Sequence, residues 1–198
     1  ANLLVAGGTI VSVKRRDSDS DTNQVAEPDR CARPKLPLVL LVNHDSASAS
    51  EVVAGALQDH GRATVVGVRT WGKGVVQSIF SWRDLDFRLK LTTAHYYTPN
   101  GRSIEGEYRR SEDGEAEGGI APDRTVAIDK SLRQRLGRAL YSANEPPVPY
   151  REQVARLSKK LELDPSYPPG PDIDTQLTAA LEEARRLLDA EAYLEPST

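Results

Sequence analysis

The feature that most constrains the fold is a strand, a helix and a second strand that follow one another within residues 36–70. The run LPLVLLVN is continuously apolar and of strand length, which is typical of a strand covered on both faces in a parallel sheet. Residues 48–61 place four apolar side chains on one helical face and end at a glycine, and ATVVGVRT is a second buried strand. The pattern predicts a βαβ unit with a right-handed crossover, and therefore an α/β fold.

Further strands are predicted on both sides of this unit. NLLVAGGTIVSVK predicts two short strands around a Gly-Gly pair, and VVQSIFSW and FRLKLTTAHYYT predict two more, joined by a tight polar turn at RDLD. PNGR predicts a turn by its composition. The polar segment at residues 14–35 predicts a flexible insertion, and the charged, Gly-rich EGEYRRSEDGEAEGG predicts a mobile surface loop.

The composition changes near residue 145, where Pro-rich stretches bracket a basic helix, YREQVARLSKKLEL, and a second amphipathic helix follows, DTQLTAALEEARRLLDAEAYL. We therefore predict a core at residues 1–144 and a Pro-rich linker with a helical extension at 145–198. Amphipathicity does not decide whether these helices pack on the core or mediate assembly. The oligomeric state stays open.

Bulk properties exclude several classes of protein. The formal net charge of −3 argues against a nucleic-acid partner bound by bulk electrostatics. Cys31 is the only cysteine, so no intrachain disulfide can form. No apolar run approaches the roughly 18 residues that span a bilayer. The basic residues near the amino end follow the apolar run, which is the wrong order for a secretory signal.

The serines of SASAS, residues 46–50, admit two interpretations. Ser48 with Glu51 fits the capping box S-x-x-E, which needs no chemistry beyond starting a helix. A serine at a helix start after a buried strand also lies at the carboxyl end of a sheet, where α/β folds hold their sites. Free N–H groups there, that of Ala49 first, can stabilise an oxyanion. The choice between a cap and a nucleophile depends on finding a base.

Histidine is the first candidate for that base, but no histidine is well placed. His44 points away from Ser48 if the segment between them is extended. His60 lies near the far end of the helix, about 18 Å from Ser48 at 1.5 Å per residue. His95 lies on a later strand and stays possible. These positions make a Ser-His-Asp triad unpersuasive.

Lys73 is a better candidate for the base. It lies between two glycines after the next strand, so parallel pairing brings it to the same sheet edge as Ser48. A neutral lysine can deprotonate a serine if burial lowers its pKa. Gln77 follows four residues later and can hold the amine without adding charge. The alternative is an exposed Gly-Lys-Gly turn with a solvated lysine and a polar strand residue.

A phosphate-binding loop is the rival interpretation of GVRTWGKG, which matches G-x-x-x-x-G-K. Gly74 follows the lysine where Ser or Thr would bind magnesium, and a strand pattern follows where a helix must open. The phosphate-loop interpretation therefore fails on two counts.

Taken together, VNHDSASASEVVAGALQDHGRATVVGVRTWGKGVVQ, LKLTTAHYYTPNGRSIEG and GIAPD resemble the core of the C-terminal processing (tail-specific) peptidases over roughly residues 36–123. The resemblance implies an α/β, ClpP/crotonase-like core with βαβ units and a mixed sheet, followed here by a C-terminal helical tail. It also implies a Ser-Lys serine endopeptidase that cuts proteins with unstructured C-terminal tails and needs no metal or nucleotide. By resemblance the location is the cell envelope or periplasm.

The same resemblance assigns roles to residues. Ser48 is the nucleophile, Lys73 the general base, 25 residues later, and Gln77 orients the lysine, while Ala49 N–H supplies one oxyanion donor. Ser46 and Ser50 are left with turn and capping roles.

Two features of the family are not found in this sequence: the upstream Gly-rich segment that gives a second oxyanion donor, and the PDZ module that recognises the substrate terminus. We therefore expect a catalytic fragment with weak or no activity, because losing one such donor costs about 100–1000-fold in turnover. The alternative is an inactive binding or scaffold protein on the same fold. The retention of Ser48, Lys73 and Gln77 together favours the enzyme.

Overall fold

The structure is a computed structural model that describes residues 1–81, 87–106, 118–143 and 174–192. Its α-helices and strands, in chain order, are β1 (Thr9–Arg15), β2 (Thr22–Val25), β3 (Val39–Val42), α1 (Ala49–Asp59), β4 (Thr64–Gly67), β5 (Val75–Ser81), β6 (Arg88–Tyr97), β7 (Arg124–Thr125), α2 (Lys130–Ala143) and α3 (Thr175–Ala192). None of the described helices is long and apolar enough to cross a membrane.

The predicted βαβ unit is confirmed as β3, α1 and β4. The two strands pair in parallel, with Val39 opposite Thr64 and Val42 opposite Gly67. Parallel and antiparallel strands are both present, but the described strands form two sheets instead of one mixed sheet. The antiparallel sheet has the order β2-β1-β6-β5, and the parallel sheet has the order β3-β4-β7. The α/β class predicted from the sequence is therefore confirmed.

Helix α1 contributes to both clusters of the apolar core. Ala56 and Leu57 pack with Val11 of β1 in one cluster, while Ala54 packs with Val65 of β4 in another. One side of the helix therefore contacts the antiparallel sheet and another contacts the parallel sheet. This packing fixes where both ends of α1 lie, including the end at Ser48.

The amino-terminal predictions are partly wrong. Only the second of the two strands predicted around the Gly-Gly pair forms, as β1. Residues 1–5 form a turn instead, because the N–H groups of Leu4 and Val5 both donate to the carbonyl of Ala1. The segment at 14–35 contains a strand, β2, which pairs antiparallel with β1 at the edge of the sheet. All four of its residues are exposed, so no apolar alternation marked it in the sequence.

The later predictions divide between confirmed and untested. The PNGR turn forms, with Gly101 N–H donating to the carbonyl of Thr98 at 2.8 Å. The RDLD turn, residues 107–117 of the predicted charged loop and the basic helix after residue 145 lie outside the described residues. The division into 1–144 and 145–198 stays a prediction.

The second amphipathic segment of the extension contains α3, which packs on the core. It lies against β3 and β4, with Ala179 and Ala180 buried. The guanidinium of Arg124 donates to the carbonyl of Ala179 at 3.1 Å, and Gln176 Nε2 donates to the carbonyl of Val126 at 2.8 Å. This helix therefore packs on the core, while a role in assembly stays open.

Candidate active site

Ser48 occupies the turn between β3 and α1 and has an unusual backbone. Its φ is 57° and its ψ is −120°, and no other non-glycine residue among those described has a positive φ. Such a conformation costs on the order of 1–3 kcal/mol and persists only where the surroundings impose it. A strained serine on a strand-to-helix turn is the geometry that α/β hydrolases use to present a nucleophile.

The neighbouring serines differ from Ser48. The hydroxyl of Ser46 accepts the N–H of Asn43 at 3.1 Å and its carbonyl accepts the N–H of Trp71, which confirms the predicted turn role. The predicted capping role of Ser50 is wrong. Ser50 is an exposed residue of the first turn of α1, and the residue that caps the helix is Ser48.

Glu51 forms the carboxylate half of the capping box and also accepts three hydrogen bonds from residues 70–73. Its side chain is fully buried. One oxygen, Oε2, accepts the N–H of Ser48 at 2.8 Å and the N–H of Lys73 at 2.9 Å. The other, Oε1, accepts the hydroxyl of Thr70 at 2.5 Å and the N–H of Gly72 at 2.6 Å. One buried carboxylate therefore ties the start of α1 to the loop that carries the lysine.

The shared oxygen brings the backbones of Ser48 and Lys73 together. Both N–H groups donate to Glu51 Oε2, so the two nitrogens cannot be farther apart than two hydrogen-bond lengths. The expectation that both residues reach one edge of the sheet is therefore met at the backbone. The Lys73 side chain itself is exposed, as in the alternative of an exposed Gly-Lys-Gly turn, so the burial expected of the general base is not found among the described residues.

The glycines on both sides of Lys73 are required by the loop. Gly72 has a φ of +91°, which side-chain-bearing residues rarely adopt. A Cβ on Gly74 would lie 2.2 Å from the backbone nitrogen of Glu105, so no side chain fits there. The carboxylate of Glu105 in turn accepts Gly74 N–H at 2.9 Å. Three consecutive N–H groups of the loop thus donate to two carboxylates.

Gln77 lies on β5 and is exposed, four residues after Lys73 in the chain. Its partner in register is Thr92 of β6. Its position on the strand that leaves the lysine loop agrees with the sequence prediction, while its contact with the amine stays a prediction.

Ala49 is the first residue of α1, so its N–H has no carbonyl one turn earlier in the helix to bond to. The next N–H groups, of Ser50 and Glu51, donate to the carbonyls of Ala47 and Ser48. Among the hydrogen bonds between described residues, none uses Ala49 N–H as donor. This group has the freedom that an oxyanion donor requires.

The histidines do not converge on Ser48. His60 follows the last residue of α1, and its Nε2 lies 2.7 Å from the carbonyl of Thr9. His95 lies on β6, opposite Val75. His44 is exposed in the turn before the serines. The structure gives no support to a histidine base.

Sequence reasoning missed the two carboxylates as anchors of the lysine loop. Glu51 was identified only as a helix cap, and Glu105 was not singled out. The apolar helix pattern around Glu51 was the available signal, because a charged residue at a buried position of a helix needs partners elsewhere in the chain.

Comparisons with known proteins agree with this geometry. The model of peptidase family S41 matches residues 1–126. A carboxy-terminal-processing protease of Bartonella bacilliformis is 37% identical over 161 residues, covering 78% of this chain and 32% of that protein. A carboxyl-terminal-processing protease of Synechocystis sp. is 43% identical over 107 residues, covering 52% of this chain and 23% of that protein. The solved photosystem II D1 C-terminal processing protease matches with a TM-score of 0.53 and 34% identity, over 63% of this chain and 29% of that one.

The chain therefore spans less than a third of the length of these relatives. The motifs at residues 36–123 lie within the matched region, and the resemblance to C-terminal processing peptidases is confirmed. The chain belongs to peptidase family S41.

Proposed function

We propose that this chain is catalytic sequence of a serine endopeptidase that cleaves proteins near their C-terminus through a Ser-Lys dyad. Ser48 is the nucleophile, Lys73 the general base, Gln77 the residue that orients the lysine, and Ala49 N–H an oxyanion donor. The core is of the ClpP/crotonase-like type. The observation that carries the proposal is that one oxygen atom of the Glu51 carboxylate accepts the backbone N–H groups of both Ser48 and Lys73.

The proposed chemistry is acyl transfer in two steps. The Lys73 amine takes the proton of the Ser48 hydroxyl as its oxygen attacks the carbonyl carbon of the scissile peptide bond. The tetrahedral oxyanion accepts Ala49 N–H, and the peptide C–N bond then breaks as the leaving amine takes the proton from Lys73. Water, deprotonated by the same amine, hydrolyses the resulting ester and restores Ser48.

The backbone of Ser48 favours an enzyme over an inactive scaffold on the same fold. A binding protein gains nothing from a positive φ at one serine, whereas a nucleophile gains a fixed position at the helix start. The substrates implied are proteins with unstructured C-terminal tails, and the implied location is the cell envelope or periplasm.

The test uses the whole 198-residue chain and a serine-directed covalent probe, such as a fluorophosphonate, read by mass spectrometry. This readout does not require full turnover, which matters because the chain spans less than a third of its relatives and is expected to be weakly active. We expect one adduct, localised to Ser48. Labelling and cleavage of an unfolded-tail substrate should both fall to background in Ser48→Ala, and the rate of labelling should fall in Lys73→Ala.

Ser50→Ala is the matched control, because Ser50 is exposed and lies two residues away. It should label and cleave within about twofold of the parent, as an exposed substitution does. Cleavage that survives Ser48→Ala would exclude Ser48 as the nucleophile. An adduct at Ser50 would show that Ser50, and not Ser48, is the reactive serine.

A further inference from the structure

The antiparallel sheet differs in charge from the rest of the chain. Its four strands contain four Lys or Arg residues and no Asp or Glu, in a chain whose net charge is −3. Arg15 is engaged locally, since its guanidinium donates to the carbonyl of Ser20. The acidic residues after β1 also form local contacts: Asp17 accepts Asp19 N–H, and Asp21 accepts Arg15 N–H. The other three cations of the sheet are Lys14, Arg88 and Lys90.

Two of those cations share a face of the hairpin with Gln77. Residues directly opposite in an antiparallel pair lie on the same face, and alternate residues along a strand do too. Gln77 pairs with Thr92, Ile79 with Lys90, and Ser81 with Arg88. All six of these residues are exposed, so this face is open within the described part of the chain.

The third cation lies at the other end of the same face. Val75 pairs with His95, and His95 pairs with Lys14 of β1, whose ammonium stands over the ring of Tyr97 at 4.5 Å. The register irregularity between Val76 and Gln77 leaves a β6 residue unpaired and keeps β5 continuous, so Val75 and Gln77 lie on one side. The basic sheet face is defined here by Lys14, Gln77, Ile79, Arg88, Lys90 and His95.

We propose that the basic sheet face binds an acidic stretch of the substrate polypeptide, in extended conformation, and that Lys90 and Arg88 determine this specificity. The inference rests on the proposed function, in which Gln77 orients the Lys73 amine beside the scissile bond. Side chains two residues apart on a strand are separated by about 7 Å, so Lys90 lies one such step from Gln77 and Arg88 two steps. An extended substrate then presents its acidic groups two and four residues from the cleaved bond.

Charge decides among the possible occupants of this face. The described residues of β5 and β6 include no carboxylate, so a basic or neutral tail gains no ion pair from them, whereas a Glu-bearing tail gains one at each of two exposed cations. The negative charge of the whole chain repels acidic peptides at long range, so a preference for them requires this local face.

The test is peptide binding to the Ser48→Ala chain, measured by fluorescence anisotropy. The probes are labelled, unstructured peptides of equal length that carry Glu, Gln or Lys at the second and fourth positions from the cleaved bond. The Glu peptide should bind about three- to tenfold more tightly than the Gln peptide, as expected for two exposed ion pairs, and the Lys peptide most weakly. High salt should reduce the preference.

The substitution pair Arg88→Gln with Lys90→Gln should abolish the Glu preference. The matched control, Lys130→Gln with Arg133→Gln, removes the same charge from α2 and should leave the preference intact. In turnover assays the first pair should raise KM for the Glu peptide and leave kcat unchanged.

Equal binding of the Glu and Gln peptides, binding of none of them, or equal loss in the control pair would overturn the proposal. Failure of the proposed function has a different signature, namely cleavage or labelling that survives Ser48→Ala.

Discussion

Glu51 is the group whose alteration should affect the site most, and Glu51→Gln is the least disruptive way to alter it. The substitution keeps the shape of the side chain, removes its charge and replaces one acceptor oxygen by an NH2 donor. In the parent, four donors converge on the carboxylate: the hydroxyl of Thr70 and the N–H groups of Ser48, Gly72 and Lys73. An amide cannot accept from all four.

The magnitude follows from the best arrangement left to the amide. Its nitrogen can face Thr70, whose hydroxyl turns to accept, but Gly72 N–H then faces a donor. An unpaired buried N–H costs about 1–3 kcal/mol. The two N–H bonds that remain at the amide oxygen lose a charged acceptor, at about 1 kcal/mol each. The expected loss of unfolding free energy is about 3–5 kcal/mol, a large part of the 5–15 kcal/mol typical of a domain.

The assay is equilibrium unfolding in urea, followed by circular dichroism. Glu27→Gln is the matched control, because the Glu27 side chain is 61% exposed and, among the described residues, forms an ion pair only with Arg30 in its own turn; it should change stability by less than about 0.5 kcal/mol. If Glu51→Gln does not fold, Thr70→Val removes one donor to the carboxylate and the acceptor of Ile120 N–H, at about 1–3 kcal/mol. A Glu51→Gln chain within about 1 kcal/mol of the parent would refute the reasoning.

Three further predictions concern the backbone and the electrostatics. Gly74→Ala places a Cβ 2.2 Å from a backbone nitrogen and should cost about 3 kcal/mol or more in urea unfolding, whereas Gly137→Ala, with open space around it, should stabilise α2 by about 0.5–1 kcal/mol. Ser48→Gly should be more stable than Ser48→Ala, because glycine adopts a φ of 57° without strain, and equal stability would show that the serine is unstrained. The hydroxyl of Ser131 lowers the pKa of Asp129, so the charged form stabilises the start of α2 above about pH 4 and the benefit is lost as the pH falls through the lowered pKa. Asp129→Asn should remove this pH dependence of helicity, which a parent curve identical to that of the variant would contradict.

The parts of the fold that the sequence predicted are those where a local pattern and the tertiary environment agree. The β3, α1 and β4 unit combines continuous apolar strands with a periodic helix, and α3 has a strong amphipathic period. Strand β2 could not be predicted, because TNQV is fully exposed and gains its structure only by pairing with β1. The strand expected before residue 6 fails for the opposite reason: its apolar side chains suit a strand, but a turn around the Ala1 carbonyl uses its N–H groups.

The candidate site could likewise be predicted from the sequence only in part. Ser48 and Lys73 could be paired from the sequence, because consecutive parallel strands end at one edge of a sheet. The contacts that join them could not be predicted, since the donors to Glu51 beyond Ser48 lie 19–22 residues along the chain and no local motif connects them. The cap was visible because its partners are three residues apart.

The cap and the nucleophile therefore cease to be rival interpretations of S-x-x-E. A carboxylate has lone pairs for about four donors, and the cap uses one of them. The remaining lone pairs of Glu51 accept hydrogen bonds from the lysine loop. The hydrogen bond that holds Ser48, whose φ is positive, and the hydrogen bond that holds Lys73 beside it therefore end on the same buried carboxylate. Because that group is shared, the start of α1 and the proposed dyad form one unit. A substitution that weakens the cap must then also displace the base.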